Sequence, residues 1–347
     1  AGPTRRERKV IAGKVRRFMR QYRVPGMAIA IGHRGRLKLS AGYGFANVST
    51  RERVRPSSRF RIASLSKTIT AVAIYRLVEM GRLRTSERVF GRRGILGDQV
   101  PRVRDARAAR ITVDQLLTHS AGLGTNNQYD PMFRYPQLSA DDLIRRIMAT
   151  RSLDFAPGRG YSYSNFGYCV LGRVIEKRAG MSYETFVQQH VLRRAGVRAM
   201  QIGGNRLADR ARGEVFYHAQ KDGSPYGMNV ARMDSHGGWI ASAPDLVRLL
   251  NHVDGFGDAP DILNRRSIAS MTRPGPRSPN YARGWSVNRQ NNWWHTGSLP
   301  GTTTIMVRTF HGFTWAALTN TRIPRSNMPV QLDRLMWDLV RSARNWR

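Results

Sequence analysis

The stretch that most constrains this fold is a predicted helix from Ser64 to Met80, whose apolar residues cover nearly its whole circumference. A helix without a polar face must be covered on all sides, so it predicts a central helix inside a large core. Ser64 lies in the first predicted turn and Lys67 three residues later, so the two side chains share a face. Burial and the positive end of the helix dipole both disfavour a charged lysine. The pair is therefore a candidate nucleophile and base.

The same two residues also have a purely structural interpretation. Ser64 can act as an N-cap, and the long stem of Lys67 can carry its amine to water. The chain has 23 serines and six lysines. A Ser-x-x-Lys match is expected by chance about 0.4 times in such a composition. The motif alone therefore does not decide between catalysis and structure.

Length and composition indicate a globular protein with a full core. The chain has 347 residues, 41% of them apolar, and no run of eighteen apolar residues that would suggest a membrane span. Its single cysteine, Cys169, excludes an internal disulfide and is expected to be buried and inert. The chain begins Ala1-Gly2-Pro3 without a methionine and shows no signal peptide, so we expect that a leader was removed or replaced.

The net charge of +35 comes almost entirely from arginine, which supplies 52 of the 58 basic residues. Arginine pairs occur from one end of the chain to the other, from Arg5-Arg6 to Arg265-Arg266. A dedicated nucleic-acid domain concentrates such residues and interleaves them with aromatic ones, and no segment of this kind is present. We therefore expect no specific nucleic-acid partner, but a non-specific attraction to anionic cell-wall polymers, lipid headgroups or nucleic acid.

Strand patterns lie at both ends of the chain and helix patterns between them. Strands are predicted at 27–32, 37–48, 283–288, 293–296, 302–309 and 313–319. Helices are predicted at 5–22, 64–80, 112–118, 139–150, 165–179, 182–194, 243–252 and 329–342, with a long polar loop at 203–237. The predicted fold class is α/β (α+β), with one antiparallel sheet built from both termini, flanked by helices, and an inserted all-helical lobe. The α/β lobe comprises 1–84 and 281–347, the insertion 85–280, and the cleft between them is the expected site.

Two further groups of residues can reach such a cleft. Tyr163 and Asn165 lie two apart at a predicted helix start, where a tyrosine near ammonium groups can have a lowered pKa and shuttle a proton. The alternative is a turn in which Asn165 caps the helix. His295-Thr296-Gly297-Ser298 lies on a predicted strand, where a glycine permits close approach of a ligand to the backbone. The alternative there is a half-exposed strand end.

Taken together, these motifs resemble those of the penicillin-recognising serine hydrolases: class C β-lactamases, serine D-Ala-D-Ala carboxypeptidases and β-lactamase-like esterases. The resemblance rests on Ser64-Leu65-Ser66-Lys67, Tyr163-Ser164-Asn165 and His295-Thr296-Gly297, in this order. It extends to the segments 60–63, 116–123, 155–158 and 237–245, and so covers nearly the whole chain. It implies a β-lactamase/transpeptidase-like fold.

The resemblance also implies a role for each matched residue. Ser64 is the acylated nucleophile, Lys67 its base or proton relay, and Tyr163 the group that protonates the leaving group. Asn165 orients Lys67 and the substrate carbonyl, and His295 and Thr296 bind a substrate carboxylate or complete the hydrogen-bond network. The backbone N–H groups of Ser64 and Ser298 form the oxyanion hole, with Gly297 between Thr296 and Ser298.

One position departs from the class C pattern, which usually has lysine where this chain has His295. A histidine is mostly neutral at pH 7, so its attraction for a carboxylate is weaker, although an arginine such as Arg283 could replace that charge. We therefore expect a D-amino-acid peptidase or carboxypeptidase, or a small-ester esterase, ahead of a β-lactamase. The alternative from another class is a catalytically silent protein that binds anionic cell-wall or nucleic-acid polymers. No metal or organic cofactor is expected, and the family likeness favours an exported protein.

Overall fold

The computed structural model describes residues 2–124 and 129–346. Its helices are α1 (Arg5–Gln21), α2 (Ser66–Glu79), α3 (Val113–Leu117), α4 (Ala140–Thr150), α5 (Asn165–Ala179), α6 (Tyr183–Val187), α7 (Val230–Gly237), α8 (Ala243–Asn251), α9 (Arg265–Thr272) and α10 (Met328–Arg341). Its strands are β1 (Gly26–His33), β2 (Arg36–Asn47), β3 (Glu52–Arg53), β4 (Phe60–Arg61), β5 (Gln201–Ile202), β6 (His218–Ala219), β7 (Trp239–Ala241), β8 (Ser286–Val287), β9 (Trp293–Leu299), β10 (Thr302–Arg308), β11 (Phe313–Thr319) and β12 (Thr321–Arg322).

The large sheet joins the two ends of the chain, as the sequence predicts. Its seven strands lie in the order β3-β2-β1-β11-β10-β9-β8, and all neighbouring pairs are antiparallel. The central pair is β1 with β11, where Met27 lies opposite Thr319 and Ile31 opposite Trp315. The predicted mixed fold with an antiparallel sheet flanked by helices is therefore confirmed.

The two faces of the sheet are covered by different layers. Side chains alternate between the faces of each strand, so on β1 Met27, Ile29 and Ile31 point one way and Ala28 and Ala30 the other. The first set packs in one core with α1 and α10. The alanines belong to a second core that contains α2 and most of the other helices, while the apolar residues of α7 pack in a small separate cluster with Ala63 and Leu299. The buried helix α2 and the candidate site therefore lie on the face opposite α1 and α10.

The segment between the two groups of strands is mainly helical, but three details differ from the prediction. The predicted loop at 203–237 ends in α7, and α9 was not predicted at all. Helix α8 lies in the predicted insertion, yet it packs against β1, β2 and β11 of the large sheet. The lobe boundaries remain a prediction, and the ranges include Ala1, residues 125–128 and Arg347, which lie outside the described residues. In the described part of the chain, no helix is both long and apolar enough to span a bilayer.

Strand β9 approaches the turn that precedes α2 so closely that only glycine fits at the contact. A Cβ on Gly297 would lie against the Thr304 hydroxyl and 2.5 Å from the carbonyl oxygen of Ile62. The same carbonyl accepts a hydrogen bond from the Thr304 hydroxyl at 3.0 Å. Strand β8 pairs with β9 at Trp293 and Trp294. Past these two residues, the same edge of β9 lies beside the Ser64 turn.

We expect Gly297→Ala to lower the free energy of unfolding by about 1–3 kcal/mol, because the added methyl group overpacks a backbone contact that cannot relax. Gly13→Ala is the matched control, since a Cβ on Gly13 meets nothing within 4 Å in the middle of α1. The Gly13→Ala substitution should raise the free energy of unfolding by about 0.5–1 kcal/mol. Urea unfolding measures both, and equal stability of the Gly297 variant and the parent would contradict the close contact.

Candidate active site

Ser64 lies in a strained turn immediately before α2. Residues Ala63–Leu65 form a 3₁₀ turn, and Ala63 has a φ of 51°, in the left-handed region that costs a residue with a Cβ about 1–2 kcal/mol. Such strain persists only where surrounding structure enforces it, and here β9 packs against the turn. Ser64 is half-buried, and its hydroxyl lies near that of Tyr163, whose pKa it lowers. The turn thus presents the serine hydroxyl at the cleft.

Lys67 is fully buried, and its Nζ has three oxygen neighbours at hydrogen-bond distance. They are the Ser64 Oγ at 2.8 Å, the Asn165 Oδ1 at 2.7 Å and the backbone carbonyl oxygen of His236 at 2.9 Å. Burial lowers the pKa of Lys67 well below its usual value, and the nearby Asp130 carboxylate only partly opposes this. The sequence prediction of an amine that loses its proton through burial agrees with this shift.

Three oxygen neighbours can satisfy either an ammonium or a neutral amine, and it is the burial of Lys67 that favours the neutral form. A neutral amine has two N–H donors and one lone pair, whereas an ammonium has three donors and no acceptor. The Asn165 and His236 oxygens can only accept, so they take the two N–H groups. In the neutral form the lone pair of Nζ faces the Ser64 Oγ at 2.8 Å, and the serine hydroxyl can donate its hydrogen to it. The arrangement can therefore remove the proton of the serine.

Asp130 fixes the orientation of the Asn165 amide. The Asn165 Nδ2 donates to the Asp130 Oδ2 at 2.8 Å, so the amide oxygen must turn toward Lys67. Asp130 is itself buried and caps the 3₁₀ turn Pro131–Phe133 by accepting from the Met132 N–H. The sequence gives no signal for Asp130, because it comes from a loop distant in the chain.

The third acceptor of Lys67 depends on a kink in α7. Asp234 has a non-helical conformation inside this helix, and its carboxylate pairs with the buried guanidinium of Arg173 at 2.5 Å. The kink lies two residues before His236, whose carbonyl oxygen is thereby turned away from the helix and toward Lys67. Because a backbone carbonyl carries no residue-specific signal, the sequence cannot indicate this contact.

Tyr163 is held by the turn around His119, which belongs to the segment 116–123. The carbonyl oxygen of His119 accepts from the Ser162 N–H at 2.9 Å, and its Nδ1 accepts from the Ser164 N–H at 3.0 Å. The Tyr163 ring then packs against the His119 ring, with centroids 4.4 Å apart. Burial raises the pKa of Tyr163, so the expectation of a pKa lowered by neighbouring ammonium groups is wrong. Ser164, not Asn165, is the N-cap of α5.

His295 is buried in β9 and is held in its neutral form. Its Nδ1 donates to the Thr296 carbonyl at 2.7 Å, which leaves Nε2 to accept from the Tyr281 hydroxyl at 2.9 Å. Burial lowers the pKa of His295 to about 3, and the proximity of Lys67 lowers it further in the same direction. Thr296 and Ser298 are exposed on β9, while Gly297 packs against the Ser64 turn. Tyr281 is a site residue that the sequence did not reveal.

Arg283 does not supply the charge that a lysine at 295 would provide. It forms a forked ion pair with Asp114, at 2.7 and 3.1 Å, and also donates to the carbonyls of Ser270 and Arg273. The cation beside β9 is instead Arg322, whose Nη1 donates to the Ser298 hydroxyl at 3.3 Å. Its other donors are held by the Asp222 carboxylate at 2.6 and 2.7 Å.

The predicted site residues therefore fall into two groups. Ser64 and Asn165 both form hydrogen bonds with Lys67, and Tyr163 lies near Ser64, whose hydroxyl lowers the pKa of the phenol. Residues 295–298 form the strand beside them. The oxyanion hole from the Ser64 and Ser298 N–H groups remains a prediction. Among residues 2–124 and 129–346, no group of three His, Cys, Asp or Glu side chains is arranged to hold a metal ion.

We expect the stability of the protein to fall as the pH drops below about 6.5. Burial lowers the pKa values of His119, His236 and His295, so the unfolded chain takes up protons that the folded protein does not bind. Each histidine then contributes up to about 1.4 kcal/mol of lost unfolding free energy per pH unit. Denaturant unfolding across this pH range should show a smaller slope for His295→Asn, and an unchanged slope would contradict a neutral His295.

Asp130→Asn should lower kcat/KM by about 10- to 100-fold, because either end of the new amide can face Asn165 and the orientation of Asn165 is no longer enforced. The acid limb of the pH profile should also move to lower pH, since the Asp130 carboxylate raises the pKa of Lys67. Asp142→Asn, an exposed carboxylate in the first turn of α4, is the control. An unshifted acid limb in the Asp130 variant would show that Asp130 does not act on Lys67.

The sequence matches the model of one protein family and, over part of their length, several known proteins. The model of the β-lactamase family matches residues 11–335. Esterase EstB of Burkholderia gladioli is 30% identical over 246 residues, which are 66% of this chain and 60% of the esterase. A probable fimbrial assembly protein FimD of Dichelobacter nodosus is 31% identical over 205 residues, 57% of this chain and 49% of that protein. The chain thus spans about half the length of such curated relatives.

Two solved structures share the fold over nearly the whole chain. SurE has a TM-score of 0.75 and 25% identity, and the match covers 97% of this chain and 76% of SurE. The D-amino acid amidase of Ochrobactrum anthropi SV3 has a TM-score of 0.79 and 19% identity, covering 97% and 98%. With the family model matching most of its length, the chain belongs to the β-lactamase family.

Proposed function

We propose that this protein is a serine hydrolase that forms an acyl-enzyme on Ser64 and acts on uncharged esters and amides, including D-amino-acid derivatives. The observation that carries the proposal is the hydrogen bonding of Lys67. In its neutral form the amine donates its two N–H groups to the Asn165 and His236 carbonyl oxygens. The lone pair of its Nζ then faces the Ser64 Oγ at 2.8 Å. If Lys67 had only a structural role, there would be no reason for its amine to be buried and deprotonated beside a half-exposed serine.

The proposed reaction has two steps. The Ser64 proton passes to the Lys67 amine while Oγ attacks the substrate carbonyl carbon. The ester or amide bond then breaks, and the proton returns from Lys67 to the leaving group through the Tyr163 hydroxyl. Tyr163 serves as a neutral donor because burial raises its pKa. Water attacks the acyl-enzyme in the second step, with the same groups moving the proton, and releases the acid and free Ser64.

The charges along β9 favour an uncharged substrate. His295 is neutral, and Arg283 is paired with Asp114 away from the strand. A carboxylate bound beside His295 would lose its water without gaining an ionic partner, which costs about 1–3 kcal/mol. This ranks ester and amide hydrolysis above hydrolysis of penicillins, which carry a carboxylate. The esterase among the relatives agrees with this order.

A carboxypeptidase is the second candidate, and Arg322 is the observation in its favour. Its guanidinium reaches the exposed Ser298 hydroxyl and could meet a carboxylate there. Its charge is already balanced by Asp222, so a substrate would have to compete for it. A catalytically silent binding protein is less favoured, because it would not need the contacts of Lys67 with Ser64 and Asn165.

Intact-protein mass spectrometry after treatment with a fluorophosphonate tests the nucleophile. The parent protein should gain one adduct, Ser64→Ala none, and the control Ser49→Ala, an exposed loop serine, as much as the parent. Lys67→Ala should slow labelling by about 10²- to 10⁴-fold, the usual contribution of a general base. An adduct that persists on Ser64→Ala would refute the assignment.

Paired substrates test the preference for uncharged groups. D-alanyl-D-alanine amide should have a kcat/KM about tenfold above that of the free dipeptide acid, the equivalent of one unpaired buried charge. p-Nitrophenyl butyrate and nitrocefin place ester and β-lactam activity on the same scale. A preference for the free acid that disappears in Arg322→Gln would instead identify a carboxypeptidase.

A further inference from the structure

Helix α1 is much richer in basic residues than the chain as a whole. Eight of its 17 residues are basic and one is acidic. All the basic residues but Lys14 are exposed, and among the described residues Lys14 is the one basic residue of α1 that pairs with a carboxylate, that of Asp338. The one acid, Glu7, is occupied by the backbone N–H groups of Thr4 and Arg344. The charge of this helix is therefore not balanced by its surroundings.

At the C-terminal end of α1 this charge surrounds an apolar groove of about 540 Å³. Its apolar lining comes from Met19, Val24, Pro25 and Phe45. Its rim consists of four exposed arginines: Arg16, Arg20, Arg23 and Arg53. Within the described residues, none of these four forms an ion pair with a carboxylate. A groove with an apolar floor and a cationic rim matches a ligand with an apolar chain and an anionic head.

We infer that α1 and this groove dock the protein on a membrane surface that contains anionic phospholipid. Guanidinium groups bind phosphate oxygens in a forked geometry, and each basic side chain near such a surface strengthens binding by about 1 kcal/mol. The stripe Arg6, Val10, Gly13, Arg17 and Arg20 presents an exposed valine between arginines on the same helix face. Met19, Val24 and Pro25 offer apolar contact to an acyl chain at the groove.

A nucleic acid fits this surface less well. Proteins that bind single strands stack bases on exposed aromatic rings. The aromatic residue of α1, Phe18, is buried, and the ring of Phe45 is approached by the guanidinium groups of Arg51 and Arg53 at 5.8 and 5.0 Å. The arginines remain open to phosphate, while no ring on the helix is free for stacking.

Docking through α1 also leaves the candidate active site accessible. Helices α1 and α10 cover one face of the large sheet, and α2 with Ser64 lies on the other. A bilayer in contact with α1 therefore does not cover the Ser64 cleft. The inference does not depend on the proposed hydrolase function.

Co-sedimentation with vesicles tests the inference. The protein should bind vesicles of phosphatidylcholine mixed with phosphatidylglycerol and should not bind phosphatidylcholine alone. The triple variant Arg16→Gln, Arg20→Gln, Arg23→Gln should bind about ten- to a hundredfold more weakly. The control variant Arg92→Gln, Arg93→Gln, Arg102→Gln removes the same charge from exposed arginines elsewhere and should bind like the parent. Circular dichroism and urea unfolding verify that all three proteins are folded and equally stable.

Two outcomes would overturn the inference. Equal loss of vesicle binding in both triple variants would mean that the attraction is spread over the whole surface. Loss of duplex-DNA binding in the α1 variant, with vesicle binding unchanged, would assign the face to nucleic acid. We expect instead that both variants weaken DNA binding to the same extent, since that attraction follows net charge.

Discussion

The removal of the Lys67 amine from water is the constraint on which the site depends. An ammonium in this position would lack water, and only a partly distant carboxylate, Asp130, would compensate its charge. Burial therefore favours the free amine, whose two N–H groups the Asn165 and His236 oxygens can accept. The elements around Lys67 each contribute to this environment. The apolar helix α2 keeps water away, and Asn165 and the kinked α7 provide hydrogen-bond acceptors. The strained turn at Ala63 brings the Ser64 hydroxyl next to the Lys67 Nζ.

The histidines near Lys67 are also buried in surroundings that disfavour their charged forms. His119, His236 and His295 are buried near Lys67, and burial is the main cause that lowers the pKa of each. Their neutral forms are compatible with a free amine at Lys67 and with a neutral phenol at Tyr163. The cleft thus brings together proton donors and acceptors whose charged forms are all disfavoured by burial. Before a substrate reacts, the cleft therefore contains no large buried charge, and a proton can move between neutral groups.

Local signals account for what the sequence predicted well. Helix α5 has a serine cap and a glycine after its end, and β1, β10 and β11 are apolar runs bounded by turns. Ser64, Lys67, Tyr163 and Asn165 were found through spacing and resemblance, and the structure brings them together. Asp130, Tyr281 and the His236 carbonyl were not predictable, because they act across long chain separations or through the backbone. The pKa of Tyr163 was predicted in the wrong direction, since burial outweighs its neighbours.

The pairing of the first strand with one of the last has a consequence for the order of synthesis. Strand β1 has β2 as its only sheet partner until β11 is made, and non-local pairings of this kind form slowly. Helices α2 and α5 can assemble earlier, with Ser64 and Lys67 already close to Asn165. The Ser64 turn gains the supporting edge of β9 only when Gly297 emerges from the ribosome. A nascent chain therefore carries its serine and lysine long before it has the strand that holds the serine in its strained conformation.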